Sequence, residues 1–105
     1  MPRPKFQTLT EQMYYVLLCL TEECCGMDIM DKIPAVTEGR VKVGSGTLYN
    51  LLEQFSESGM IKMTRAEGRK RSYIITDKGR EILKAEYTRL NTLAEDYRRI
   101  TKEEV

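Results

Sequence analysis

The stretch V-G-S-G-T-L-Y-N-L-L-E-Q-F-S-E-S-G-M-I, residues 43–61, decides the fold of this chain. Leu48, Leu51, Leu52 and Phe55 stand at i, i+3, i+4 and i+7, the apolar stripe of a helix that buries one side. Ser45 is placed to cap the first turn, because its hydroxyl can accept from the free N–H groups there. Ser58-Gly59 ends the helix, which we expect over residues 46–57. The opposite face carries Thr47, Tyr49, Asn50, Glu53 and Gln54, mostly hydrogen-bonding groups held on a rigid element. Two β-prone runs follow, 61–66 and 71–75, around the turn Glu67-Gly68-Arg69-Lys70. A polar-faced helix followed by a basic hairpin predicts a mainly α fold with a small β-hairpin, a winged helix-turn-helix that reads DNA.

Working outward, Thr8 and Glu11 have the spacing of a capping box for a first helix, along which Leu9, Met13, Val16, Leu17 and Leu20 recur at helical intervals. The segment Glu22-Glu23-Cys24-Cys25-Gly26 interrupts it. A second helix is expected over residues 27–33, with Ile29, Met30 and Ile33 inward. Pro34 should break or kink it, since proline lacks an N–H and crowds the preceding turn. Irregular chain then leads to Gly44. Met63 and Tyr73 are candidate cross-strand partners in the hairpin, and Thr76 caps a long final helix. On that helix Leu83, Tyr87, Leu90, Ala94 and Tyr97 follow the 4, 3, 4, 3 rhythm of a helix lying along another helix, and Leu93 and Ile100 widen the stripe. Two heptads of seam exceed what a small core covers. We therefore expect a winged domain over 1–76 and a dimerisation helix over 77–105.

Charge is distributed unevenly. The net charge is only +1, but residues 6–38 hold one basic and six acidic side chains, a net of −5, whereas residues 40–75 hold seven basic and three acidic, a net of +4. Positive charge thus gathers around the polar-faced helix and the hairpin, where phosphate attraction would need it. Catalysis is not expected. Histidine is absent, no carboxylate pair can be placed in a pocket, and G-S-G-T lacks the lysine and spacing of a phosphate-cradling loop. Cys24-Cys25 is a vicinal pair rather than C-x-x-C, Cys19 belongs most simply to the core, and no cofactor is expected. Three cysteines in no disulfide pattern fit a reducing compartment. Nothing reads as a signal peptide, and no apolar run approaches the roughly 20 residues that span a bilayer. We expect a cytoplasmic protein with no membrane partner.

The segment G-S-G-T-L-Y-N-L-L-E-Q-F-S-E-S-G-M-I resembles the signature of the PadR family of bacterial transcriptional regulators. T-E-Q-M-Y-Y-V-L-L-C-L in the first helix, G-R-V before the polar-faced helix, and Y-I-I-T-D-K-G at the exit from the wing also match, so the resemblance spans nearly the whole chain. The short tail is similar to the compact branch of the family, with one C-terminal helix. The resemblance implies a homodimeric repressor, joined by the C-terminal helix with help from the first helix.

Chemistry then assigns candidate contacts with double-stranded DNA, most simply a pseudo-palindromic operator. The first turn of the polar-faced helix offers N–H groups to phosphate, and Gly46 allows close backbone approach. Ser45 and Thr47 can donate to phosphate or a base edge. Asn50 can pair bidentately with adenine, as can Gln54 if it reaches. Tyr49 can rest its ring on the core and aim its hydroxyl at phosphate. Lys42, Arg65, Arg69, Lys70 and Arg71 supply charge. Tyr14 and Tyr15 read as core or interface. A small hydrophobic or aromatic effector could sit at the centre of the dimer. The competing reading is a winged-helix adaptor or antirepressor that binds protein and not DNA.

Overall fold

The computed structural model describes residues 8–103. Seven elements follow in order: α1 Glu11–Cys19, β1 Cys24–Cys25, α2 Gly26–Val36, α3 Ser45–Glu57, β2 Ile61–Glu67, β3 Lys70–Ile75 and α4 Asp77–Thr101. The result is a mainly helical winged-helix fold with a small antiparallel sheet and a long C-terminal helix.

The N-cap of α1 is Thr10, whose hydroxyl accepts from the Met13 N–H at 3.2 Å. The Thr8-Glu11 capping box is not used. Leu9 is buried and its backbone is held by the Glu86 carboxylate, and Thr10 is extended ahead of the helix. Val16, Leu17 and Leu20 are fully closed off from solvent, as their spacing predicts.

Helix α2 runs through Pro34 instead of stopping at Ile33. Pro34 gives up the bond that an N–H there would make to the Met30 carbonyl, and the helix ends two residues later at Val36. Thr37 then closes the end. Its N–H donates to the Ile33 carbonyl at 3.0 Å, its hydroxyl donates to the same oxygen at 2.8 Å, and it accepts from the Val41 N–H at 3.1 Å. Glu38 and Gly39, both at positive φ, turn the chain toward α3.

The N-cap of α3 is Gly44 and not Ser45, which is the first helical residue. Val41 and Val43 are buried on the approach, and this anchoring starts the helix one residue earlier than expected. No side chain caps the first turn. Leu48, Leu51, Leu52 and Phe55 all face the core, as expected. The far end is a Schellman arrangement: Met60 N–H bonds the Phe55 carbonyl at 2.9 Å, Gly59 N–H bonds Ser56 at 3.1 Å, and Gly59 has φ +74°.

The sequence predicts two strands; the sheet has three, in the order β1-β3-β2. The supposed break at Cys24-Cys25 is a strand, with Cys24 opposite Tyr73 and Cys25 opposite Ser72. Two residues carry too little pattern to announce a strand, and this one exists because β3 offers an edge. Met63 does pair with Tyr73. The register slips between Met63 and Arg65, so Thr64 forms a bulge.

The sheet leads into α4 through Thr76. Its hydroxyl accepts from the Gly79 N–H at 3.2 Å and donates to the Gly59 carbonyl at 2.6 Å, so one side chain caps α4 and ties it to the end of α3. Lys78 adds a bond to the Ser58 carbonyl. Only Gly79, Leu83 and Glu86 are buried along α4. Leu83, expected on the dimer seam, belongs instead to the domain's own core, because the first turns of α4 pack on α1 and β3. Glu86 is a buried carboxylate. Hydrogen bonds from Arg89, chiefly, and from the Leu9 backbone hold its pKa below the ordinary value despite burial. Among the described residues no helix is long and apolar enough to cross a membrane.

Candidate nucleic-acid interface

The residues proposed to meet DNA fall into two groups, and the structure places nearly all of them in solvent. Lys42, Ser45, Gly46, Thr47, Tyr49 and Asn50 are exposed along the approach and the outer face of α3, while Gln54 is half-buried. The absence of a side-chain cap leaves the first-turn N–H groups of α3 without an internal acceptor from a side chain. An added Cβ at Gly46 would meet nothing within 4 Å, so the space in front of this turn is open. Gln12 fixes the approach from behind, donating through Nε2 to the Lys42 carbonyl at 3.1 Å. The Lys42 ammonium stays outward on an anchored backbone.

Tyr49 departs from expectation. It does not rest its ring on the core and is 54% exposed. The ring lies over the start of α2: a Cβ on Gly26 would come within 3.1 Å of its hydroxyl oxygen and 3.2 Å of a ring carbon. Gly26 is therefore a residue that sequence reasoning missed. It lets the phenol settle against the first turn of α2, and it joins the two helices of the helix-turn-helix on their outer side.

The wing comprises β2 and β3, joined by the two-residue loop Gly68-Arg69. Gly68, at φ +61°, supplies the left-handed backbone that such a tight loop needs. Arg69 consequently stands at the tip, flanked by the exposed Lys70 and Arg71. Arg65 is also exposed but is not free. Its guanidinium lies 3.7 Å from the Glu23 carboxylate and 4.0 Å from that of Glu67. Glu23 is the second residue missed, since an acid before a cysteine pair carries no sequence signal of a wing contact.

The far half of α4 is a separate surface. Tyr87, Leu90, Leu93, Ala94, Tyr97 and Ile100 are all exposed, Ile100 at 81%, although most are large and apolar. Tyr14 and Tyr15 are partly buried at the edge of the core and meet edge to face, with ring centroids 5.9 Å apart.

The thiols carry no sign of reactivity. Burial pushes the Cys24 pKa up to about 11 and raises that of Cys19 as well, and both stay protonated near neutrality. All three cysteines are free. Among the described residues no group of three His, Cys, Asp or Glu side chains is arranged to hold a metal ion.

Comparison with known proteins agrees with this geometry. The family model described as "Transcriptional regulator PadR-like family" matches residues 16–85. No curated protein matches. The fold is similar to that of a transcriptional regulator from Clostridium thermocellum, at 20% identity and a TM-score of 0.72, over 85% of this chain and 90% of that one. It is similar to a PadR-like transcription factor from Bacteroides fragilis, at 27% identity and 0.70, over 84% and 87%. It is also similar to the PcaV transcriptional regulator from Streptomyces coelicolor, solved with its natural ligand, at 15% identity and 0.69, over 86% of this chain and 61% of that one.

Proposed function

We propose, for a chain that belongs to the PadR-like family of transcriptional regulators, that it acts as a homodimeric repressor on a pseudo-palindromic DNA operator in the cytoplasm. Membership itself makes the protein a DNA-binding regulator and not an enzyme. The observation that carries the finer reading is the open first turn of α3, with its exposed hydrogen-bonding face, followed directly by a basic wing. Two copies about a two-fold axis would offer α3 to successive major grooves one turn, or roughly 34 Å, apart. In this reading Asn50, with Gln54 behind it, reads base edges. Lys42, Ser45, Gly46 and Thr47 hold phosphate. Arg69, Lys70 and Arg71 meet the backbone beside the groove.

Fluorescence anisotropy on the DNA upstream of the gene, at several salt concentrations, tests this. Asn50→Ala should relax sequence preference at a cost of about 1–3 kcal/mol on the preferred site. The double variant Arg69→Ala/Lys70→Ala should weaken binding to every sequence and flatten the salt dependence, by about one unit of slope for each phosphate that the wing no longer neutralises. If the double variant keeps both affinity and slope, the wing is not a DNA element and the adaptor reading moves ahead.

The repressor is proposed to answer a small hydrophobic or aromatic effector. Support comes from a groove of about 320 Å³ between α1 and α4, lined by Tyr14, Leu18, Leu83 and Tyr87 together with Arg80 and Lys84. It lies where the apolar stripe of α4 begins. A ligand held there between subunits would change the spacing of the two α3 helices. A set of planar aromatic compounds should contain members that raise the melting temperature. A screen without any such compound, together with a dimer whose interface fills the groove, would rule the effector out.

A further inference from the structure

We infer that Arg65 is held in the free protein by the carboxylates of Glu23 and Glu67 in place of DNA phosphate, an autoinhibitory contact at the foot of the wing. The inference rests on the proposed reading of the wing as a DNA element. Its geometry begins with the bulge at Thr64. Were Thr64 paired regularly with Ser72, Arg65 would stand opposite Arg71; with Thr64 bulged out, Arg65 stands opposite Ser72, which itself stands opposite Cys25. The row Arg65-Ser72-Cys25 crosses all three strands and ends two residues after Glu23. Ser72 in the middle is small and buried. The long side chain of Arg65 thus comes within 3.7 Å of Glu23, in the connection between α1 and β1, and within 4.0 Å of Glu67 on its own strand. The same side chains share a polar cup with Asp28 and Lys70. The cup brings three carboxylates, those of Glu23, Asp28 and Glu67, against two cations.

A guanidinium binds carboxylate and phosphate oxygens through the same N–H groups, so one acceptor excludes the other. Arg65 is 65% exposed on its side chain and Glu23 41%, which leaves the pair weak enough to exchange. The wing therefore presents fewer free cations to DNA than its composition implies. Docking on a phosphate backbone would draw Arg65 away from Glu23. Conditions or partners that favour the internal pair would weaken DNA binding of every sequence alike.

The test is a double-mutant cycle in the full-length protein, read as affinity for a fixed duplex across a salt series. Glu23→Gln should tighten binding roughly twofold to fivefold, the range an exposed ion pair spans. It should leave the salt slope unaltered, because Arg65 reaches phosphate in either complex and only the competing pair is lost. In an Arg65→Ala background the same Glu23→Gln change should alter neither affinity nor slope. If Glu23→Gln has no effect in the parent chain, the inference fails. If it tightens binding equally with and without Arg65, Glu23 acts only through its charge on the general field, and the inference fails again. Both results are distinct from failure of the DNA reading itself, which would show as an Arg69→Ala/Lys70→Ala variant with unaltered binding. Circular dichroism should be unchanged throughout, because both side chains stand in solvent.

Discussion

Gly79→Ala is expected to lower the melting temperature of the domain by about 12 °C or more. The direction opposes helix propensity, since glycine inside a helix costs about 1 kcal/mol relative to alanine and its replacement ordinarily stabilises. Here the added Cβ would lie 2.2 Å from the Met60 carbonyl oxygen and 2.7 Å from the Ile75 side chain. The first obstacle is backbone, and it is not free to move. Met60 accepts from the Thr76 N–H at 2.9 Å, and its own N–H closes the end of α3. Thr76 in turn caps Gly79. The whole junction of α3, the wing and α4 has to open. Overpacking of this kind costs roughly 3 kcal/mol or more, out of a total that for a small domain is about 5–15 kcal/mol. At about 4 °C per kcal/mol for a domain of this size the shift should be plain in a thermal melt. Gly46→Ala, where nothing meets the new atom, serves as the control and should show no such loss. A Gly79→Ala protein that melts with the parent would mean that α4 does not seat as described.

Leu90→Asp should convert the protein from dimer to monomer in sedimentation velocity while leaving the fold intact. The last buried residue of α4 is Glu86, so Leu90 contributes little to its own domain. Yet it sits among exposed Tyr87, Leu93, Tyr97 and Ile100, an apolar surface of the kind that isolated monomers rarely display. In a second copy's interface the aspartate would be a charge without a partner, at a cost of several kcal/mol. Monomeric parent protein at tens of micromolar would contradict the assignment before any substitution is made.

How far the chain could be read in advance follows from the kind of signal each element carries. The apolar stripe of α3 was legible because four residues at helical spacing leave no other periodicity, and Thr76 because a threonine before Asp-Lys-Gly has few other uses. Gly68 announced the wing turn for the same reason. The failures share a different cause: each depends on a partner distant in sequence or in another element. Cys24-Cys25 is a strand only because Tyr73 and Ser72 stand beside it. The end of α2 beyond Pro34 is held by Thr37, which bonds both Ile33 and Val41, and no local pattern announces those contacts. Ser45 yielded the cap to Gly44 through the burial of Val43. In the candidate site, the exposed face of α3 was read correctly from its polarity. The contacts of Tyr49 with Gly26 and of Arg65 with Glu23 were invisible, since neither pair is joined by any local pattern. Leu83 kept heptad rhythm with the seam yet lies in the core, because rhythm marks one side of a helix and not which neighbour covers it.

The position of β2 at the margin of the sheet has a consequence for solubility. A marginal strand leaves a row of amide and carbonyl groups open to strand addition by another molecule, the first step of edge-to-edge aggregation. Residues 62–67 of this strand are all exposed. What guards them is the bulge at Thr64 and the charges of Lys62, Arg65 and Glu67. On the proposed reading the wing answers two demands with one set of side chains: it attracts a polyanion and discourages its own kind. Stripping its charge to abolish DNA binding also strips that guard, whereas reversing the charge removes the attraction and leaves the margin protected.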